Sequence, residues 1–288
     1  MDFGKFKLHI IRECHFKLDG GAMFGVVPKA MWNKVSPADE ANRVDMACNL
    51  LVIETPQKKV LVETGMGPRW SAQERERYDL RTLVDHSKAL AELGISNDQI
   101  DAVIISHMHF DHMGGAVMEQ GGKLVPTFPK ALVYVQKGEY DMAHKANARA
   151  KASYRTEDYQ VLEQQGLLEM VNGDREIVPG VSVRITGGHT SHHQVVVFES
   201  EGQKGVFFAD IVPTKSHLSP PWVMGYDHYP LETCDRKDEW LGRAAREKWL
   251  VVFDHEKEVP WGHVEQTGDG KFSWNPLSAS TLEYGLVV

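Results

Sequence analysis

His107-Met108-His109-Phe110-Asp111-His112 puts four metal-competent side chains into six residues, directly after the β-branched apolar run Asp101–Ser106 (DAVIIS). In an extended chain alternate residues point the same way, so His107 and His109 can address one point. Asp111 and His112 lie past the bend and can address a second. A metal ion takes three or four protein ligands, and a catalytic one keeps a position open. Four donors from one turn, joined by donors from elsewhere, therefore suggest two ions. The other donors lie in matching places: His189 follows the apolar run Val181–Thr186, Asp210 follows Val206–Ala209, and His255 follows Leu250–Phe253. Ligands at strand ends that converge on one sheet edge suit an α/β active site.

The rest of the chain agrees with a soluble α/β enzyme. Its 288 residues are 42% hydrophobic and 25% charged, which excludes a disordered chain. A net charge of −8 argues against a general nucleic-acid binder. Cys14, Cys48 and Cys234 are odd in number and far apart, so neither a disulfide framework nor a thiolate zinc site is expected. They read as buried thiols in a reducing compartment. No signal pattern opens the chain and no run of 18 apolar residues crosses a membrane, so a cytoplasmic location is the expectation.

Strands are expected at Phe6–Ile10, Cys48–Ile53, Lys59–Glu63, Asp101–Ser106, Leu132–Gln136, Val181–Thr186, Val195–Glu199, Val206–Ala209 and Leu250–Phe253. Helices are expected over Ser71–Leu93 with Gly94 as the stop, over Lys137–Gln165 with Gly166 as the stop, and over Glu232–Trp249. Ala22–Trp32, with Gly25 and Pro28, reads as a loop. Without repeats or linkers, residues 1–288 read as one α/β domain.

HMHFDH, GGHT (187–190), FAD (208–210) and FDHE (253–256), in that order, resemble the metallo-β-lactamase-fold hydrolase superfamily, and the resemblance covers nearly the whole chain. It implies an αβ/βα four-layer sandwich of two mixed sheets flanked by helices. It also implies that His107, His109 and His189 hold one ion, that Asp111, His112 and His255 hold the other, and that Asp210 bridges them. A carboxylate with two oxygens can bridge two ions, which an imidazole normally cannot. Two such cations acidify a shared water, and the resulting bridging hydroxide attacks a carbonyl or phosphoryl centre. Asp111 would orient that nucleophile. Zn is the default ion, and Mn, Fe or Co suit the same donors. His109, where a Glu would stand, argues against the flavin-linked di-iron branch, and the lack of a Cys ligand argues against the thiolate-using β-lactamases.

GGAMFGVVPKAMW (20–32), ETGMG (63–67) and DIVPTKSHLSPPW (210–222) resemble the N-acyl homoserine lactone lactonases and the related organophosphate hydrolases. The expected activity is opening of an ester, foremost a lactone, with an apolar portion. The alternatives are a phosphotriester or aryl-ester hydrolase, a thioesterase of glyoxalase II type, and a metal-bound sensor without turnover. The thioesterases add basic C-terminal residues for glutathione, whereas Val259–Val288 has one Lys and no Arg. Several lactonases of this group place a Tyr three residues after the bridging Asp. Here that position is Pro213, and Tyr226, His228 or Tyr229 would have to supply the donor, with Tyr226 taken as the catalytic candidate. Met23, Phe24, Val26 and Trp32, with Trp222, Met224 and Tyr226, are expected either to line an apolar pocket or to cap the core. The remaining histidines read as surface or structural groups, with His192 and His193 near enough to His189 to support it. A homodimer is compatible with the sequence.

Overall fold

The structure is a computed structural model that describes residues 1–269, 271–278 and 286–287. Its first sheet is founded on two long antiparallel strands, Phe6–Asp19 and Arg43–Glu54, which pair along their length with one register shift between Arg12 and Cys14. Lys59–Val62 adds antiparallel to the second of these, and Ala102–Ile104, Leu132–Gln136 and Leu168–Val171 then add in parallel. The second sheet runs antiparallel through Arg175–Val178, Val181–Ile185, Gln194–Ser200 and Gln203–Phe207. It takes one parallel step to Leu250–Val252 and ends with Trp261–Gln266 and Phe272–Pro276. A parallel step needs a long crossover, and here helix Pro230–Glu247 supplies it.

Period-2 alternation sends one set of side chains between the sheets: Leu8, Ile10, Leu51 and Ile53 from the first, and Val181, Val196, Phe198 and Phe207 from the second. The outer face of the first sheet packs Val52, Leu61, Val103 and Val133 against Ala89, Leu90 and Leu162 of short helices. The outer face of the second packs Val206 and Val251 against Trp240, Leu241 and Ala244 of Pro230–Glu247. These layers are helix, sheet, sheet and helix, the αβ/βα sandwich that the motifs imply.

Three expected elements differ. The helix over Ser71–Leu93 is broken in two. Ala72–Arg77 opens with a Ser71/Glu74 capping box, but Asp79 turns the chain at φ 43 and Arg81–Thr82 pairs with Cys14 and His15. Asp85 then caps a second helix, His86–Glu92. The Lys137–Gln165 helix is reduced to Lys137–His144 and Gln160–Gln164, because Arg69 pairs with buried Asp158 and Arg155 lies 4.4 Å over Trp70, which pulls the intervening turns onto the body of the protein. The Ala22–Trp32 loop instead carries two short helices, Gly20–Phe24 capped by Asp19 and Lys29–Trp32 started by Pro28.

Helix Pro230–Glu247 buries Lys237, whose Nζ donates to the carbonyls of Ser219 (3.1 Å) and Trp222 (2.6 Å). Burial pulls its pKa down from 10.5 to about 7, against the opposing charge of Asp227. Between those two values the folded chain holds fewer protons than the unfolded one, so this group makes stability rise with pH. The unfolding free energy of the wild type relative to Lys237→Met is expected to grow from pH 7 to pH 10. Denaturant unfolding across that range checks it, and a difference that stays flat or shrinks contradicts it.

Candidate metal centre

Every residue singled out at a strand end arrives at the same place. His107 follows Ala102–Ile104, His189 follows Val181–Ile185, Asp210 lies in a 3-10 turn after Gln203–Phe207, and His255 follows Leu250–Val252. The Asp210 turn requires Ala209 to adopt φ 48. Before His189, Gly188 sits at φ 84, and a Cβ there would come within 2.8–3.0 Å of Thr233, so the GGHT glycine is sterically required.

Two buried groups result. In one, His107 Nε2 lies 3.0 Å from His109 Nδ1, which lies 3.2 Å from His189 Nε2, and Asp210 Oδ2 is 3.1 Å from that same His189 nitrogen. In the other, His112, Asp210, Asp254 and His255 bring their donor atoms within 4.8 Å of one another. Asp210 Oδ1 is 3.2 Å from His255 Nε2, so the two oxygens of one carboxylate face different groups. Asp111 stands at the rim, with Oδ1 3.7 Å from His112 Nε2 and Oδ2 3.7 Å from His255 Nε2.

These spacings suit cations. Zn–N bonds of 2.0–2.1 Å at tetrahedral angles put neighbouring donors about 3.3 Å apart. His112 Nε2, Asp210 Oδ1 and both Asp254 oxygens are buried without a hydrogen-bond partner, as ion-facing atoms would be. Three of the far ring nitrogens are engaged: His107 Nδ1 with Ser106 Oγ (2.9 Å), His255 Nδ1 donating to the Ala47 carbonyl (2.8 Å), and His189 Nδ1 against Asp227 Oδ1 (2.8 Å), while His109 Nε2 is buried without a hydrogen-bond partner. A ring that donates through Nδ1 leaves its Nε2 lone pair free for an ion. Burial holds His107 and His109 well below the usual histidine range. At His255 burial is outweighed by Asp254 and Asp210, which push it up to about 9 in the ion-free chain. Burial likewise opposes the Asp210 charge, yet His189, His112 and His255 together hold that carboxyl well below the usual range.

Glu13, Cys14 and Cys48 also converge, but Glu13 accepts from the amides of Met66 (3.1 Å) and Gly67 (2.9 Å), and burial pushes the Cys14 thiol up to about 12. Both thiols are buried, while Cys234 is half-buried and not in the core as expected.

The groups open on a cavity of about 170 Å³. Its walls include Leu18, Met23, Phe110 and Met224, with the phenols of Tyr78 and Tyr226, and none of its lining residues is a Lys or Arg. Met23, Met224 and Tyr226 are therefore pocket residues. Phe24 and Trp32 stack on each other inside the core, and Val26 is 89% exposed. Tyr229 is exposed, and the ring of His228 stays 6.2 Å from that of His109. Pro213 is buried and lends its carbonyl to the His255 amide (3.1 Å). Burial, then Asp19 and Asp111, raises the Tyr226 pKa, and burial with Asp111 raises that of Tyr78, so both phenols keep their protons.

Sequence reading missed the acids that hold this site in place. Glu63, at φ 64, accepts from the Ser106 amide (2.9 Å) and sets its other oxygen 3.6 Å from His112 Nδ1. Fully buried Glu139 receives Met108 N (3.2 Å), Tyr154 Oη (2.8 Å) and Thr190 Oγ1 (2.7 Å), which ties both histidine loops together. Glu63 and Asp254 lie inside ETGMG and FDHE, so their proximity was open to view. Asp227 and Glu139 had no local signal.

The fold is a metallo-β-lactamase sandwich, and its two buried His/Asp clusters are consistent with a dinuclear metal site. The chain belongs to the metallo-beta-lactamase superfamily, whose family model matches residues 43–265. It is 28% identical over 224 residues to an N-acyl homoserine lactonase of Bacillus thuringiensis, covering 72% of this chain and 80% of that one. Its fold matches a probable metal-dependent hydrolase from Staphylococcus aureus with a TM-score of 0.86 and 28% identity, covering 96% of this chain and 100% of the other. The dizinc quorum-quenching lactonase AidC shares the fold with a TM-score of 0.79 at 23% identity, over 96% of both chains.

The loop that carries His255 is anchored from the first sheet. Asn49 Nδ2 donates to the carbonyls of Phe253 (3.3 Å), Asp254 (2.9 Å) and Glu256 (2.8 Å), and its Oδ1 accepts from Arg12 Nε (3.0 Å). Replacing it with Ala removes all of these buried hydrogen bonds at once, at about 0.5–1.5 kcal/mol for each, although the Asp254 carbonyl keeps the Asn49 amide and the Glu256 carbonyl keeps Arg12. Asn49→Ala is expected to lose about 2–3 kcal/mol of stability by denaturant unfolding. A loss within the scatter of surface substitutions would show that this anchor is dispensable.

Proposed function

We propose that this chain is a dinuclear metal-dependent hydrolase that opens an uncharged ester, foremost a lactone such as an N-acyl homoserine lactone. The observation that carries the proposal is the Asp210 carboxylate, with Oδ2 turned to His189 and Oδ1 to His255. Two divalent ions held there, with Zn as the default, would supply an acidified water and polarise an acyl oxygen. His107, His109 and His189 would hold one, His112 and His255 would hold the other, and Asp210 would contribute to both. Asp111 sits between the cavity and the second group, where its carboxylate would orient an attacking water by accepting a hydrogen bond from it. Asp254 reaches the same group and adds to its negative charge.

The substrate reading rests on the walls. Leu18, Met23, Phe110 and Met224 take an apolar acyl portion, and the lack of a lining cation disfavours an anionic partner such as a glutathione thioester. Tyr226 keeps its proton and lines the cavity beside Asp111 and Asp210, so it takes the donor role that Pro213 vacates. The lactonase likeness at 28% identity supports the same substrate class.

Protein purified without chelator is expected to carry about two ions per chain by elemental analysis, as a two-metal hydrolase requires. Asp210→Ala is expected to lose one of them together with most turnover. One ion or none in the wild type contradicts the dinuclear reading, and full activity in the variant removes Asp210 from the site. A panel of an acyl homoserine lactone, an aryl ester, a phosphotriester and a glutathione thioester tests the substrate class, with the lactone expected to be fastest. Two bound ions without turnover on any of them would make the chain a metal-bound binding protein. Tyr226→Phe is expected to lower kcat on the preferred ester about 100-fold, the scale for losing one oxyanion donor. An unchanged kcat would pass that role to another group.

A further inference from the structure

Asp227 lies in an irregular loop ahead of helix Pro230–Glu247 and is 1% exposed. Its two oxygens do different things. Oδ1 is 2.8 Å from His189 Nδ1, and Oδ2 accepts the amide of Met224 at 3.0 Å. Met224 and Tyr226 are cavity wall, so one buried carboxylate joins a residue of the first cluster to the side of the pocket. The surrounding backbone reinforces the joint. His228 N donates to His189 O (2.9 Å) and Tyr229 N to Gly188 O (3.0 Å). On the outer side, Arg149 donates to the carbonyls of Gly225 (2.7 Å) and Asp227 (3.1 Å), while Gly225 N reaches Ala22 O (2.7 Å). Neighbouring segments thus hold the wall, and among the described residues Asp227 is the one side chain hydrogen-bonded both to it and to an imidazole of the cluster.

We propose that Asp227 is a positioning residue that couples ion binding at His189 to the order of the pocket wall 222–229. This rests on reading His189 as an ion ligand. An ion on Nε2 fixes the plane of the imidazole and strengthens its Nδ1–H as a donor, which holds Oδ1 in place. A carboxylate fixed at one oxygen presents the other to Met224 N in one orientation. The wall then has a single shape when the ion is present and several when it is absent. Linkage makes the effect mutual: whatever orders the wall tightens the ion. Deleting the carboxylate charge therefore acts on both ends at once, which a residue that merely fills space does not do.

The test uses Zn²⁺ alone as the probe, titrated against a chromophoric chelator into the ion-free full chain of wild type and Asp227→Asn. Hydrogen exchange over 222–229 is followed in each with and without Zn²⁺. In the wild type, Zn²⁺ is expected to slow exchange of the Met224, Gly225, His228 and Tyr229 amides. Asp227→Asn is expected to weaken one of the two Zn²⁺ sites about 10- to 100-fold, the usual size for losing such a partner. It should also abolish the Zn²⁺-dependent gain at Met224. A purely structural role would lower protection equally with and without Zn²⁺. Wild-type affinity in the variant with the gain intact overturns the coupling. So does a wild-type wall whose exchange ignores Zn²⁺, a result that needs no variant to fold. A wild type that binds no Zn²⁺ overturns the metal centre and the coupling together, whereas one that binds two while the variant matches it overturns the coupling alone.

Discussion

Asp210 has to face two sets of imidazole nitrogens at once, and the architecture around it serves that requirement. Its oxygens lie 3.1 and 3.2 Å from His189 and His255, which come from strands on opposite sides of Gln203–Phe207 in the second sheet. His107, His109 and His112 come from the first sheet, so the centre exists only where the two sheets are packed face to face. Burying this many polar groups is unfavourable, at about 1–3 kcal/mol for each one left unpaired. Cations bound there would relieve that and so couple ion binding to the stability of this edge of the sandwich.

The same requirement explains why so many buried acids stand behind the histidines. Each imidazole must offer one chosen nitrogen, and a partner on the other nitrogen makes the choice. Ala47, Ser106 and Asp227 do this for His255, His107 and His189. Glu63, Glu139 and Asn49 act one step further back, on the backbone of the loops. The network is not closed by protein groups alone, since Glu63 Oε2, His109 Nε2 and both Asp254 oxygens are buried without a hydrogen-bond partner.

Much of the candidate site was legible in sequence because its His and Asp residues follow strands, and strands of β-branched residues are written locally. Asp101–Ser106 and Leu250–Phe253 announce both the strand and the position of the ligand after it. The acids behind the ligands are not local: Asp227 reaches His189 from 38 positions away, through a loop with no pattern of its own. The helix misreadings have a related cause. Ser71–Leu93 has helical composition throughout, but Asp79 takes a left-handed conformation and Arg81–Thr82 is captured by the long strand at Cys14 and His15, a tertiary contact that propensity does not record.

Pro213 shows why chemistry and specificity separate in this fold. Read against related lactonases, it looks like a lost donor. In the structure its carbonyl holds the amide of His255, so the position now serves the second cluster. Phenols reach the cavity instead from Tyr78, after a short surface helix, and from Tyr226, in the loop that Asp227 ties down. The His and Asp donors stand at strand ends, where the paired strands fix them. The substrate meets walls from several separate loops, anchored by Arg149, Lys237 and Asp227. Loops can exchange a tyrosine between positions while the metal ligands stay where they are, so the reaction class is read from the strand ends and the substrate from what holds the loops.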